Sequence, residues 1–185
     1  MHGIIHNELQ RFAEVRHGPA AWREVVDTAG VPRRFAYVRL GQYPDSELEA
    51  ILRVLAMREG GTRQTILLDF GEFIVPSLLT MFPKLVSPQW DTLDLIANTE
   101  DLMHRIARAR DPGAQPPRLQ CSRNPAGEVA VVYRSARRMC AFGRGIIHGI
   151  AHHYRERVSV TETSCMLRDQ DACRLVVRRE ERGGA

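Results

Sequence analysis

Val129-Ala-Val-Val-Tyr133-Arg-Ser135-Ala-Arg137 is where the chain changes pattern. Val129, Val131 and Tyr133 alternate, which predicts a strand with one buried face. If the strand runs on, Ser135 and Arg137 point the same way as Tyr133. One side then carries a phenol, a hydroxyl and a guanidinium, all suited to carboxylates, and Arg137 can grip one with two parallel bonds. Upstream, Asp101-Leu-Met-His104 sets one histidine at the edge of a helix's apolar face. One stretch offers a neutral nitrogen ligand and the other carboxylate donors. A ligand with a metal at its centre and carboxylates at its rim needs both, and haem is such a ligand.

Before residue 117 the period is helical. Ile5, Leu9, Phe12 and Val15 mark a helix over 3–17 that ends at Gly18-Pro19. A second contains Trp22, Val25, Val26 and Ala29 and stops at Gly30. Asp45 or Ser46 can cap a third, with Leu48, Ile51, Leu52 and Leu55 on its buried side and Gly60-Gly61 closing it. Thr62 can cap a fourth, in which Gly71 and Pro76 predict a break or kink near Pro76. The helix carrying His104 spans about 91–110, with Ala97 and Ala107 beside the histidine leaving room for something flat. Pro112-Gly113 and Pro116-Pro117 end it.

Beyond residue 117, strands are expected at Arg118–Ser122 and Val129–Ser135, turned by Asn124-Pro-Ala-Gly127. A helix over about 136–156 follows, then a strand pair at Val158–Ser164 and Ala172–Arg178. Residues 181–185 read as a tail. The class is α+β: a helical N-terminal subdomain, about 1–60, packed on a subdomain over about 61–180 that holds an antiparallel sheet with helices, forming a single domain over 1–185.

The bulk properties narrow the function. The chain has 185 residues, 44% hydrophobic and 26% charged, as in ordinary globular proteins. No stretch reaches the length of a membrane span, and the N-terminus lacks a signal peptide's basic start and apolar run, so a cytoplasmic protein without membrane contact is expected. The net charge of +4 is carried almost wholly by arginines dispersed along the chain, Lys84 being the single lysine, which reads as a solvated surface with no nucleic-acid partner. Four cysteines in a reducing compartment suggest metal binding or redox sensing before a structural disulfide.

Together, Tyr133-x-Ser135-x-Arg137, His104, the turn Pro116-Pro117-Arg-Leu, the start Met1-x-Gly-x-Ile5 and Phe70-Gly71 resemble the haem-nitric oxide/oxygen binding (H-NOX) family, related to the sensor domain of soluble guanylate cyclase. The resemblance covers nearly the whole chain. It implies haem b between the two subdomains, His104 as axial iron ligand, Tyr133, Ser135 and Arg137 on the propionates, and Pro117 pressing on and distorting the porphyrin. Ile5, Leu9, Ile74, Phe142 and Ile146 would form the distal or porphyrin-contacting pocket. In the oxygen-binding members a tyrosine at the position of Phe142 donates a hydrogen bond to dioxygen. Phenylalanine has no donor. The resemblance therefore implies a sensor that binds nitric oxide and carbon monoxide at a five-coordinate ferrous iron and excludes dioxygen. Its signal would come from weakening of the bond to His104, and its partner would be a separate histidine kinase or cyclic-di-GMP enzyme. No catalytic role is expected, because no distal His/Arg pair accompanies the apolar pocket.

Some members of the family also carry a zinc site of three cysteines and a histidine. Cys140, Cys165 and Cys173 resemble the thiolates, but Glu162 stands in the histidine's place. A site with Glu162 as fourth ligand and a metal-free trio of cysteines both remain open. His148 and His152 have the spacing of a helical metal pair, although Arg144, Arg155 and Arg157 nearby suggest a solvated face. Taken singly, His104 could be a core histidine and Tyr133, Ser135 and Arg137 a strand's polar face. A haem-free ligand-binding or zinc- and redox-responsive module of the same fold is the alternative.

Overall fold

The computed structural model describes residues 1–180 other than Phe35, Phe82 and Pro112, so the tail expected over 181–185 and the proline of Pro112-Gly113 lie outside the described residues. Four helices come first: α1 (Gly3–His17), α2 (Pro19–Ala29), α3 (Asp45–Arg58) and α4 (Arg63–Met81). Next, α5 (Thr92–Thr99) passes through a π turn (Glu100–His104) into α6 (Arg105–Arg110). The rest is β1 (Arg118–Arg123), β2 (Val129–Arg134), α7 (Cys140–His153), β3 (Val158–Ser164) and β4 (Cys173–Arg179). The four strands form one antiparallel sheet in the order β1-β2-β4-β3. This is the expected α+β arrangement, helical first and then strands around a helix.

Local details depart from the sequence reading in instructive ways. Val15 is 68% exposed, so the buried stripe of α1 ends at Phe12 and Ala13. Asp45 opens α3 without capping it, because its carboxylate accepts from the Met1 ammonium and from Arg137 instead. Thr62 does cap α4: its hydroxyl accepts from the Thr65 amide at 3.2 Å while the Thr65 hydroxyl accepts from the Thr62 amide at 2.9 Å. Pro76 does not end α4, which continues to Met81. Gly71 is a point of contact rather than a break. A Cβ there would lie 2.3 Å from the Phe142 carbonyl oxygen, and one at Gly145 would lie 2.0 Å from that of Leu68. Both glycines are needed for α4 and α7 to cross backbone to backbone.

Two apolar layers result. One joins α1 to α4 through Leu9, Phe12, Leu52, Leu55, Phe70 and Ile74, with Met139 and Ala141 at the start of α7. The other joins Leu93 and Ile96 of α5 to Val129, Val131, Leu175 and Val177 of the sheet and to Ile147 and Ile150 of α7. A fully buried Leu, Ile or Phe contributes about 1.5–3 kcal/mol. A solvent-exposed ion pair contributes roughly 0–1 kcal/mol. The layers, and not the many arginine pairs, hold the fold together.

Candidate functional site

His104 closes the π turn, where the Arg105 amide reaches back five residues to the Glu100 carbonyl. A π turn inserts the equivalent of one residue into a helix. The alignment of Ala97 with His104 expected of a straight α-helix is therefore shifted. The His104 side chain is 19% exposed. Its Nδ1 lies 3.1 Å from Glu100 Oε2, whereas Nε2 has no hydrogen-bond partner among the described residues. Burial lowers the His104 pKa from 6.5, with Glu100 opposing and Arg108 adding to the fall, so the ring is neutral near pH 7. A neutral ring that donates from Nδ1 presents the Nε2 lone pair, which is the ligand an iron needs.

The helix bearing His104 is pinned to the sheet at its start and at the π turn. At its start, Asp91 and Asp94 form a capping box, Arg123 donates to Asp94 at 2.5 Å and Arg179 to Asp91 at 3.2 Å. The Thr92 amide donates to Glu156 at 3.1 Å. At the π turn, the Leu119 amide on edge strand β1 donates to Glu100 Oε2 at 2.9 Å.

The expected alternation of Tyr133, Ser135 and Arg137 needs correction. The strand stops at Arg134, and residues 135–138 form a turn closed by the Arg138 amide on the Ser135 carbonyl at 3.1 Å, with Arg138 at φ 48°. Only Tyr133 is on the strand. Its ring is buried beside Cys140, Cys165 and Cys173, and burial pushes its pKa up to about 12 against the hydrogen bond from Ser135. Arg137 leaves the turn with Nε on Asp45 at 2.8 Å and Nη1 on the Gln115 carbonyl at 2.6 Å. Its Nη2 has no partner among the described residues. Burial would raise the Asp45 carboxyl, but the N-terminal ammonium and Arg137 outweigh it and hold it below its usual range. Pro117 is half-buried, two residues from the carbonyl that Arg137 holds.

The five residues expected to line the pocket all belong to, or pack against, one apolar layer. Leu9 and Ile74 belong to the first apolar layer, and Ile5, Phe142 and Ile146 pack against it with surface still accessible. Phe142 leans on Phe70 at 5.2 Å between ring centres. Ile146 touches both layers. None of these five side chains carries a hydrogen-bond donor. The donor set therefore fits haem: one unpartnered imidazole nitrogen, a guanidinium with an uncommitted nitrogen, and an apolar wall.

The cysteine expectation is half met. Sγ of Cys173 lies 2.9 Å from that of Cys140 and 3.7 Å from that of Cys165, and all three are buried. Burial raises the Cys140 and Cys173 pKa values. Glu162 is not among them. Arg144 holds its carboxylate at 3.3 Å and Arg168 at 2.9 Å, and two guanidiniums are stronger partners for a carboxylate than neutral thiols. Among the described residues the group holds three ligands, where a closed structural zinc site uses four. His152 pairs with Glu72 at 2.7 Å rather than with His148 around an ion. No described helix is long and apolar enough to cross a membrane.

Two features escaped the sequence reading: the π turn and Glu100. The i, i+4 spacing of Glu100 and His104 was the available signal for the second.

A haem-NO-binding family profile matches residues 2–162. None of the curated proteins matches. Among solved structures, an H-NOX protein from S. oneidensis in the Fe(II)NO state superposes with a TM-score of 0.91 at 25% identity, covering 98% of this chain and 100% of that one. The same organism's H-NOX domain in the Fe(II)CO state gives 0.87 at 25% identity, covering 98% and 99%. The unliganded Fe(II) H-NOX protein from K. algicida is similar in fold, with a TM-score of 0.84, 21% identity and full coverage of both chains.

Proposed function

We propose, from the premise that this chain belongs to the haem-NO-binding family, that it is a gas sensor for nitric oxide and carbon monoxide that excludes dioxygen. The observation that carries the reading is Phe142 in a wall of Ile5, Leu9, Ile74 and Ile146 that offers no hydrogen-bond donor. Dioxygen on a ferrous iron draws negative charge to its outer atom and gains from a donor, while nitric oxide and carbon monoxide depend on one far less. Relatives with solved nitric oxide and carbon monoxide complexes support the same reading.

In this reading His104 would hold the iron through Nε2. Arg137 would offer Nη2 to a propionate, with Ser135 and Tyr133 beside it. Pro117 would meet the porphyrin, and the five apolar residues would keep water from the gas-binding side. Haem, when bound, supplies the iron to which a diatomic gas coordinates. His104 sits on the helix pinned to the sheet, while Arg137 is tied to Asp45 on α3 and so to the N-terminus. A group held by both feels movement of one relative to the other, which is the differential contact a two-state switch requires. A separate signalling protein, a histidine kinase or cyclic-di-GMP enzyme as the family resemblance implies, would read that movement.

The test is an absorption spectrum of the reduced protein under nitrogen, nitric oxide, carbon monoxide and air. Distinct spectra are expected under the first three, with air giving no persistent change other than oxidation. A stable new spectrum in air would overturn the exclusion of dioxygen. A colourless protein would favour the haem-free module.

A further inference from the structure

Three groups converge on the Glu100 carboxylate. Oε2 faces His104 Nδ1 at 3.1 Å and accepts from the Leu119 amide at 2.9 Å, and Oε1 accepts from Arg108 Nη2. Glu100 is the only acidic partner of Arg108 among the described residues, and Arg108 Nη1 is buried without an acceptor. The carboxylate is 22% exposed and Arg108 31%, so water screens this group less than the pairs at the surface. The Leu119 amide belongs to β1, the edge strand, whose outward donors would otherwise lack partners.

Glu100 and His104 are i, i+4 neighbours within the wide turn. The turn starts at Glu100 and ends at His104, so the two residues bound a single non-standard turn. Single π turns within α-helices cost stability and recur where a side chain must be presented at a set angle.

We propose that Glu100 is the positioning residue for His104, holding the ring proton on Nδ1 and the ring plane in register with β1, while Arg108 limits how much negative charge the carboxylate lends to the ring. The inference rests on the haem reading for its electronic consequence only. The placement of the proton is a property of the chain itself. A full carboxylate charge behind an iron-bound imidazole strengthens it as a donor and favours the ferric state. An arginine on the far oxygen reduces that effect. The pair therefore sets both how firmly the iron is held and how readily it is reduced. Because the same oxygen binds the Leu119 amide, a change in the His104 ring's position is passed to the start of β1, two residues beyond Pro117.

The test follows the His104 Nδ1–H proton by NMR in the full chain with nitrogen-15-labelled histidine, reduced and under carbon monoxide, together with the midpoint potential. Wild type, Glu100→Gln and Arg108→Gln are compared, with Asp101→Asn as control because Asp101 is exposed and pairs with Arg105. Wild type is expected to show a slowly exchanging, downfield Nδ1–H. In Glu100→Gln that proton moves upfield and exchanges roughly tenfold faster, because a charged acceptor is replaced by a neutral one. The potential rises in Glu100→Gln and falls in Arg108→Gln. A merely structural role would not move the potential in opposite directions in two folded variants. An unchanged Nδ1–H and potential in Glu100→Gln, or shifts of the same sign in both variants, would overturn the proposal. Should the purified chain lack a Soret band, the haem reading fails instead. The His104 Nδ1–H signal still reports on Glu100 in that case, and its loss in Glu100→Gln but not in Asp101→Asn upholds the positioning role.

Discussion

At the scale of residues, His104 and His6 show what burial does to a histidine with and without a carboxylate against its ring. His6 is fully buried, stacked on Tyr37 at 4.5 Å, and its Nε2 has no partner. Burial lowers its pKa from 6.5. Above that value both the folded and unfolded chain hold the ring neutral, so His6 adds no pH dependence. As pH falls below 6.5, the unfolded chain takes up a proton that the folded chain refuses, and stability is lost down through the folded value. His6→Phe is expected to reduce this slope in urea melts run from neutral to mildly acidic pH. His104 contributes with the same sign and leaves a remainder. For His104 itself, replacement by alanine is expected to abolish haem retention, with free imidazole restoring the Soret band. Retention of haem by His104→Ala without imidazole would remove it as the ligand. Phe142→Tyr is expected to introduce a donor beside the iron, read as a new and persistent spectrum in air. Most of these residues were legible because their chemistry is distinctive. Glu100 was not, because a glutamate four residues before a histidine looks like any helical surface pair.

At the scale of elements, the α4–α7 crossing decides how the helical layer meets the sheet. Gly145 has a carbonyl oxygen 2.0 Å from where a Cβ would stand, whereas Gly143, one half-turn earlier, meets only the Tyr133 ring at 3.5 Å. Gly145→Ala should cost about 1–3 kcal/mol through forced separation of the helices. Gly143→Ala should be neutral or stabilising by up to ~1 kcal/mol, because alanine favours the helix. Denaturant midpoints for the two variants check the contrast, and equal effects would contradict the crossing geometry. The sequence reading took Gly71 and Pro76 for a break or kink near Pro76, because glycine and proline disfavour helix locally, and α4 is not broken there. Packing overrode that preference: the benefit of a close crossing is a property of two helices and cannot be read from one. The bounds of β3 were legible to the residue. The end of β2 was not, because Ser135-Ala-Arg137 continues the alternation while the Arg138 turn interrupts the ladder.

At the scale of the whole molecule, the site draws on distant parts of the chain. The Met1 ammonium donates to the Tyr43 carbonyl at 2.6 Å and to Asp45 at 2.8 Å, and Asp45 in turn holds Arg137. A haem gripped by His104 and Arg137 would add contacts to both apolar layers. At a free concentration of about 100 times its Kd, a ligand binding only the folded state adds ~2.7 kcal/mol. For a chain of this size that is roughly 5–10 °C in Tm. The haem-free protein should therefore melt lower by about that much, a difference that calorimetry on reconstituted and haem-depleted samples would measure. What the sequence by itself determined was the class of fold and the order of its elements, because periodicity is local. Only the tertiary structure decided that three cysteines converge without Glu162, that α4 and α7 cross through paired glycines, that Asp45 serves Arg137 instead of its own helix, and that Glu100 stands behind His104. Each of those depends on which competing partner comes within reach, and reach is set by packing between segments remote in sequence.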